Sequence, residues 1–325
     1  MITTALFEEV LIKPAQISDE LRIVSGYATP AMAFRHLSVL SDMNLNIKVN
    51  LIVGMTPQEG ISLTGHKGFK KIMGDIFKDC FQCSYLQNLP PVHSKLYIWL
   101  KDGRPVQSYL GSANYTQKAF NGLKQMEILA GCDRDIALDY FNDLEKNSIY
   151  CDHPDVETSV LIYTDSSRTI PKQKRKRDKL PVAKVSDYSN QSLENITISL
   201  IPKSGIIQKV GGLNWGQRSG RNHNQAYIQL PPEVYKSEFF PIRGTHFTVI
   251  TDDGKTLICT RAQKNNWGAA IHTPHNNSLL GEYFRNRLGV ASGAFIQNAD
   301  LKRYGRDNVT FYKIDDENYY MDFSN

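Results

Sequence analysis

Apolar and polar positions change their period along this chain, and the changes divide it in two. In the first half strand-like and helix-like stretches alternate. LRIVSGYAT (21–29) reads as a strand, and PAMAFRHLSVLSDM (30–43) as a helix with Pro30 in its first turn. KVNLIVGM (48–55) is a continuous apolar strand and HKGFKKIMGDI (66–76) is helical. CSYLQ (83–87), HSKLYIW (93–99), SYLGSAN (108–114) and QMEILAGC (125–132) follow as strands. DRDIALDYFNDLEKN (133–147) is an amphipathic helix with Asp133 as its N-cap. This alternation predicts an α/β domain over residues 1–165, with helices flanking a largely buried sheet.

The texture then changes. DSSRTIPKQKRKRDKLP (165–181) has no apolar period and a dense basic run, so residues 166–185 read as a basic linker. Beyond it ITISLIP (196–202), AYIQLP (226–231), HFTVITDDGKTLICTRA (246–262) and NVTFYKI (308–314) are short strands. Asp252-Asp253-Gly254 signals a hairpin, and SLLGEYFRNRLG (278–289) a short helix. Residues 186–325 are therefore expected to form a mostly-β barrel or sandwich.

A length of 325 residues suits two domains. No apolar run is long enough to span a membrane, and MITTALFEEVLIKP lacks the pattern of a signal peptide, so a cytoplasmic protein is expected. The five cysteines are expected to be reduced. The net charge of +5 is uneven. Residues 1–165 hold 15 basic and 19 acidic side chains (−4), 166–180 hold 7 and 1 (+6), and 181–325 hold 16 and 13 (+3). Positive charge in the middle and second half points to a polyanionic partner there. Cys80-x2-Cys83 has no second pair at zinc spacing, and Gly60-x4-Gly65-His66-Lys67 lacks the Gly-Lys-Ser/Thr of a phosphate loop.

Polar residues interrupt the strands of the first half. Side chains at i and i+2 share a strand face, so His93 and Lys95 pair with Tyr97 and Trp99, and Ser112 with Asn114. Glu127 sits among apolar neighbours on the third strand. Burying these groups together costs on the order of several kcal/mol unless they satisfy one another or a substrate. The types suit phosphoryl transfer. A histidine nitrogen can attack phosphorus, lysine and asparagine can hold the non-bridging oxygens, and a carboxylate can orient the imidazole.

His93-x-Lys95 followed by Gly111-Ser112-x-Asn114, with Glu127 downstream, resembles the signature of the phospholipase D superfamily. The family's Asp five residues after the Lys is replaced by Leu100, as in its nuclease branch, and Asp102 is given no role. The resemblance implies His93 as nucleophile or acid, Lys95 and Asn114 as phosphate ligands, Ser112 assisting and Glu127 orienting His93, with no divalent metal. Because a single motif copy resembles half of such a site, a homodimer joined through this domain is also implied.

In the second half the glycine-rich segment 211–224 carries Asn214, Trp215, Gln217, Arg218, Arg221, Asn222 and Asn224. A second loop carries Gln263, Lys264, Asn265, Asn266 and Trp267. Arginine pairs with guanine edges and Asn or Gln with adenine edges, so both loops are candidate readers of double-stranded DNA. This half resembles the pseudobarrel DNA-binding domain of plant transcription factors, a module also found in some restriction endonucleases. Together the halves resemble a site-specific, type II-like restriction endonuclease from a prokaryotic restriction-modification system. ATP would enter only through a separately encoded helicase-like ATPase, and a cognate methyltransferase is a further implied partner. Two other readings compete: a DNA-binding regulator with an inactive nuclease-like domain, and a lipid phosphodiesterase or phosphatidyltransferase.

Overall fold

The computed structural model describes the chain except residues 89, 123–124, 165–184, 186–187, 189–191 and 263–267. The chain divides into two compact units, Met1–Ala183 and Lys184–Asn325. The basic stretch expected to link them lies mostly outside the described residues.

The strands of the first unit are β1 (Glu20–Ser25), β2 (Lys48–Val53), β3 (Ile61–Ser62), β4 (Phe81–Leu86), β5 (Lys95–Lys101), β6 (Arg104–Gly111), β7 (Leu129–Gly131), β8 (Ser148–Tyr150) and β9 (Ile162–Tyr163). Seven of them form one mixed sheet in the order β7-β6-β5-β1-β2-β4-β8. Pairs β1–β2 and β2–β4 are parallel, and β1–β5, β5–β6, β6–β7 and β4–β8 are antiparallel. Leu96, Ile98 and Leu100 of β5 pack with Val24 and Ile52 against Ala137 and Phe141 of the helix Arg134–Glu145. Asp133 caps that helix, accepting from the amides of Asp135 and Ile136. Tyr97 and Trp99 turn to the other face. Tyr97 donates its hydroxyl to the Ala113 carbonyl at 2.7 Å, and Trp99 donates its indole N–H to the Val10 carbonyl at 2.8 Å. Both faces of β5 are thus covered, as an interior strand requires.

Several boundaries differ from the sequence pattern. The helix expected over 66–76 runs Leu63–Lys71, capped by Ser62, and continues as a π-helical turn at Ile72–Ile76. The polar residues of the three strand segments lie at strand ends. His93 precedes β5, Ser112 and Asn114 follow β6, and Glu127 precedes β7. Lys95 alone lies within a strand, as its first residue.

The second unit contains β10 (Asn195–Ser199), β11 (Ile228–Gln229), β12 (His246–Thr251), β13 (Thr256–Ala262), β14 (Ala270–His272), β15 (Asn308–Lys313) and β16 (Asn318–Asp322). They form one sheet in the order β10-β15-β16-β12-β13-β14-β11, antiparallel except for β12–β16. A single core draws on Ile198 and Ile228, from the two edge strands, together with Phe247, Val249, Phe284 and Tyr319. The sheet is curled into a half-barrel around that core. Gly254, with φ +81°, makes the β12–β13 hairpin turn. The expected helix spans Ser278–Leu288 and ends on Gly289 at φ +64°. A further helix, Asn298–Tyr304, carries a capping box of Gln297 and Asp300. Among the described residues no helix is long and apolar enough to cross a membrane.

Candidate active site

The strand ends bring four segments of the first unit together. At the start of β5 the Lys95 side chain turns back and donates to the carbonyl of His93. Lys95 is buried. Burial pushes its ammonium below the ordinary lysine range, and the Glu127 carboxylate opposes that shift. An ammonium has three protons, and among the described residues one acceptor is seen, which leaves donors for a ligand oxygen.

At the end of β6, Gly111 lets the backbone of the segment before β7 come close. A Cβ at Gly111 would stand 2.0 Å from the Ile128 carbonyl oxygen. Ser112 then pairs with Ile128, donating its amide to the Ile128 carbonyl at 2.9 Å and accepting the Ile128 amide on Oγ at 3.0 Å. The Ser112 hydroxyl donates to one Glu127 oxygen and the Gln125 side chain donates to the other. Glu127 is buried and Ser112 exposed. Glu127 is expected to orient His93, but the hydrogen bonds of its carboxylate go to Ser112 and Gln125. The cause is the register at β7, which sets Ile128 opposite Ser112 and so delivers the neighbouring carboxylate to the serine hydroxyl.

Asn114 lies two residues on. Its side-chain oxygen accepts the Tyr27 amide at 3.1 Å and lies 3.4 Å from the Ser25 hydroxyl. The Tyr27 ring meets the exposed His93 imidazole edge-on, with centroids 5.7 Å apart and planes at 78°. A closed circuit results: His93 to Tyr27, Tyr27 to Asn114, Asn114 along the chain to Ser112, Ser112 to Glu127, Glu127 electrostatically to Lys95, and Lys95 back to His93. The structure therefore gathers all five residues singled out by the sequence motif. It adds Tyr27 and Gln125, which the motif does not contain. Asp102 lies in the turn beyond β5, at the opposite end of that strand from Lys95.

The candidate residues of the second unit separate by burial. Asn214 is buried, donating to the carbonyls of Gln208 (3.1 Å) and Ile296 (2.8 Å) and accepting from the Ile296 amide (2.9 Å). Asn224 is buried as well. It accepts the Gly293 amide at 2.7 Å and donates to the Ser292 hydroxyl at 2.8 Å. These two amides are spent on the scaffold, because a buried side-chain amide must be hydrogen-bonded, so they shape the loop. Gln217 is half-buried and donates to the carbonyls of His223 and Gly293.

Arg218, Arg221 and Asn222 are exposed. The Arg221 guanidinium lies over the Trp215 ring at 4.1 Å, and its Nη1 donates to the Gln225 side chain at 2.9 Å. Arg218 donates its Nε to the Val210 carbonyl at 2.8 Å. Gln263, Lys264, Asn265, Asn266 and Trp267 lie outside the described residues.

A family model described as the NgoFVII restriction endonuclease N-terminal PLD domain matches residues 4–158. A second, described as the NgoFVII C-terminal B3-like DNA-binding domain, matches residues 188–315. The chain belongs to the NgoFVII restriction endonuclease family. As a member of that family it is a DNA endonuclease of the phospholipase D type, with a B3-like domain as its curled second unit. Among solved structures, NucT from Helicobacter pylori is 16% identical, with a TM-score of 0.32, covering 44% of this chain and 89% of its own. Nuc from Salmonella typhimurium, a phospholipase D family member, is 17% identical with a TM-score of 0.33, covering 43% and 87%. No curated protein sequence matches the chain.

Proposed function

We propose that this NgoFVII-family endonuclease cuts double-stranded DNA through a covalent phosphohistidine, without a divalent metal, at a site shared by two copies of the chain. The observation that carries the reading is the circuit around His93. It supplies a nucleophile, a buried ammonium and a carboxamide in the places where a metal ion would otherwise have to neutralise phosphate. An imidazole nitrogen of His93 attacks phosphorus. A P–N bond forms, the P–O bond to one sugar breaks, and His93 of the partner subunit gives its proton to the departing oxygen. Water then attacks phosphorus, gives a proton to that second imidazole, and breaks the P–N bond. Lys95 and Asn114 hold the non-bridging oxygens through both steps. Ser112 and Glu127 keep the Asn114 segment docked and set the field felt by Lys95.

Sequence recognition falls to the second unit. Arg221, flattened on Trp215, offers a planar pair of donors suited to a guanine edge, and Arg218 and Asn222 lie on the same exposed segment. Residues 263–267 are proposed as its counterpart. The test is incubation of varied plasmid and phage DNA in EDTA, followed by end sequencing. Defined ends that disappear in His93→Ala are expected. Cutting that occurs only with added divalent metal would overturn the mechanism. Specific retention of duplex DNA without cleavage, with or without ATP and a helicase-like partner, would favour a regulator.

A further inference from the structure

The turn that ends β1, Ser25-Gly26-Tyr27, carries no group of the catalytic motif, yet each of its residues touches the site. Gly26 faces His93 so closely that a Cβ there would stand 2.9 Å from the imidazole Cδ2 and 3.4 Å from the His93 Cα. The Tyr27 ring closes against the same imidazole at 5.7 Å. The Tyr27 amide donates to the Asn114 side-chain oxygen at 3.1 Å. Ser25, buried, fixes the turn: its hydroxyl donates to the Tyr27 carbonyl at 2.6 Å and accepts the Tyr115 amide at 2.9 Å. One hydroxyl proton serves one strong acceptor, so the 3.4 Å approach of Ser25 to Asn114 is secondary and the Tyr27 amide is the anchor.

This anchor has a chemical consequence. A carboxamide can present either end, and a phosphate oxygen needs the N–H end. With its oxygen held by a backbone amide, Asn114 keeps its NH2 group as the end without a protein acceptor among the described residues. The same three residues therefore decide how the imidazole lies and which end of the carboxamide meets substrate.

We propose that Ser25-Gly26-Tyr27 is a positioning element of the endonuclease. It sets the His93 ring against a bare backbone and the edge-on Tyr27 ring, and it holds Asn114 with its donor end free. The inference rests on the nuclease reading above. Misplacing a reacting group by about 1 Å costs on the order of 100-fold in rate.

The test uses the full chain and bis(4-nitrophenyl) phosphate, a diester that needs neither a recognition sequence nor a partner protein. Tyr27→Ala removes the ring that meets His93 edge-on, and Gly26→Ala adds a methyl against the imidazole Cδ2. Each is expected to lower kcat roughly 10- to 100-fold while KM stays within about threefold. Tyr27→Phe, which keeps the ring, is expected to recover most of the rate lost in Tyr27→Ala. Melting curves identify any variant that fails to fold, and the two alanine changes act by opposite routes, so one folded variant is enough. Folded variants with wild-type kcat would overturn the positioning role while leaving the nuclease reading intact. An inactive wild type, or a His93→Ala variant as fast as wild type, would overturn the nuclease reading and this inference with it.

Discussion

Gly111→Ala is expected to damage both the fold of the first unit and its chemistry. The added Cβ would stand 2.0 Å from the Ile128 carbonyl oxygen, 3.0 Å from the Ile128 carbonyl carbon and 3.0 Å from the Leu129 Cα. All three are backbone atoms, so no side-chain rotation relieves the clash, and β6 must part from the start of β7. Forced overpacking costs about 1–3 kcal/mol. The two Ser112–Ile128 bonds, at 2.9 and 3.0 Å, go with it, at about 1 kcal/mol each. The sum is about 3–5 kcal/mol, which for a unit of this size lowers the melting temperature by on the order of 10 °C. Cutting should fail well below that temperature, because the same separation pulls Glu127 from Ser112. Gly131→Ala, at the end of the neighbouring strand β7, is the control: its nearest neighbour would be the Ser108 carbonyl oxygen at 3.9 Å, so its effect should stay within about 0.5 kcal/mol. Differential scanning calorimetry and DNA cleavage measured on both variants decide the matter. A Gly111→Ala protein that melts within about 2 °C of wild type and still cuts would refute the close-approach argument.

Glu127→Gln should move the alkaline limb of the cleavage profile to lower pH. The carboxylate supports the Lys95 proton against burial, so without it the ammonium, and with it phosphate binding, is lost earlier as pH rises; a limb that stays put or moves up would contradict this. His93→Ala should abolish the covalent enzyme–DNA adduct in denaturing gels after acid-free quenching while leaving DNA affinity within a few-fold, roughly as expected for loss of a nucleophile alone. Arg221→Ala should weaken binding to a cleaved sequence by about 1–3 kcal/mol relative to unrelated DNA, measured by competitive gel retardation. Asn224→Ala should instead appear as lost stability of the second unit, about 1–3 kcal/mol in urea titrations, because it strands the Gly293 amide.

The parts of the site visible in the sequence were those whose chemistry is carried by side-chain type at short spacing. His93, Lys95, Ser112, Asn114 and Glu127 fall within 35 residues and cannot all be explained as core. Their placement at strand ends was harder to read, since Leu96, Tyr97 and Ile98 continue an apolar run that gives no sign of where pairing starts. Gly26 and Tyr27 were hidden for a different reason: one contributes an absent Cβ and the other a backbone amide, more than 65 residues before His93 and Asn114 in the chain. In the second unit, residue type misled. Asn214 and Asn224 have the right amides for reading bases, but only burial reveals that those amides are already used. The fold classes themselves followed from period, because alternating helices and strands, and then short strands with Gly and Asp turns, constrain layers more tightly than boundaries.

On the proposed mechanism, the circuit around His93 also sets when the chain can first cut DNA. Its members come from residues 25–27, 93–95, 112–114 and 125–127, each delivered by a different strand end of a single sheet. A nascent chain shorter than 127 residues has the His93 imidazole but no buried carboxylate, and a proteolytic fragment that loses β1 has no anchor for the carboxamide. On the proposed mechanism, scission therefore requires a first unit complete through Glu127.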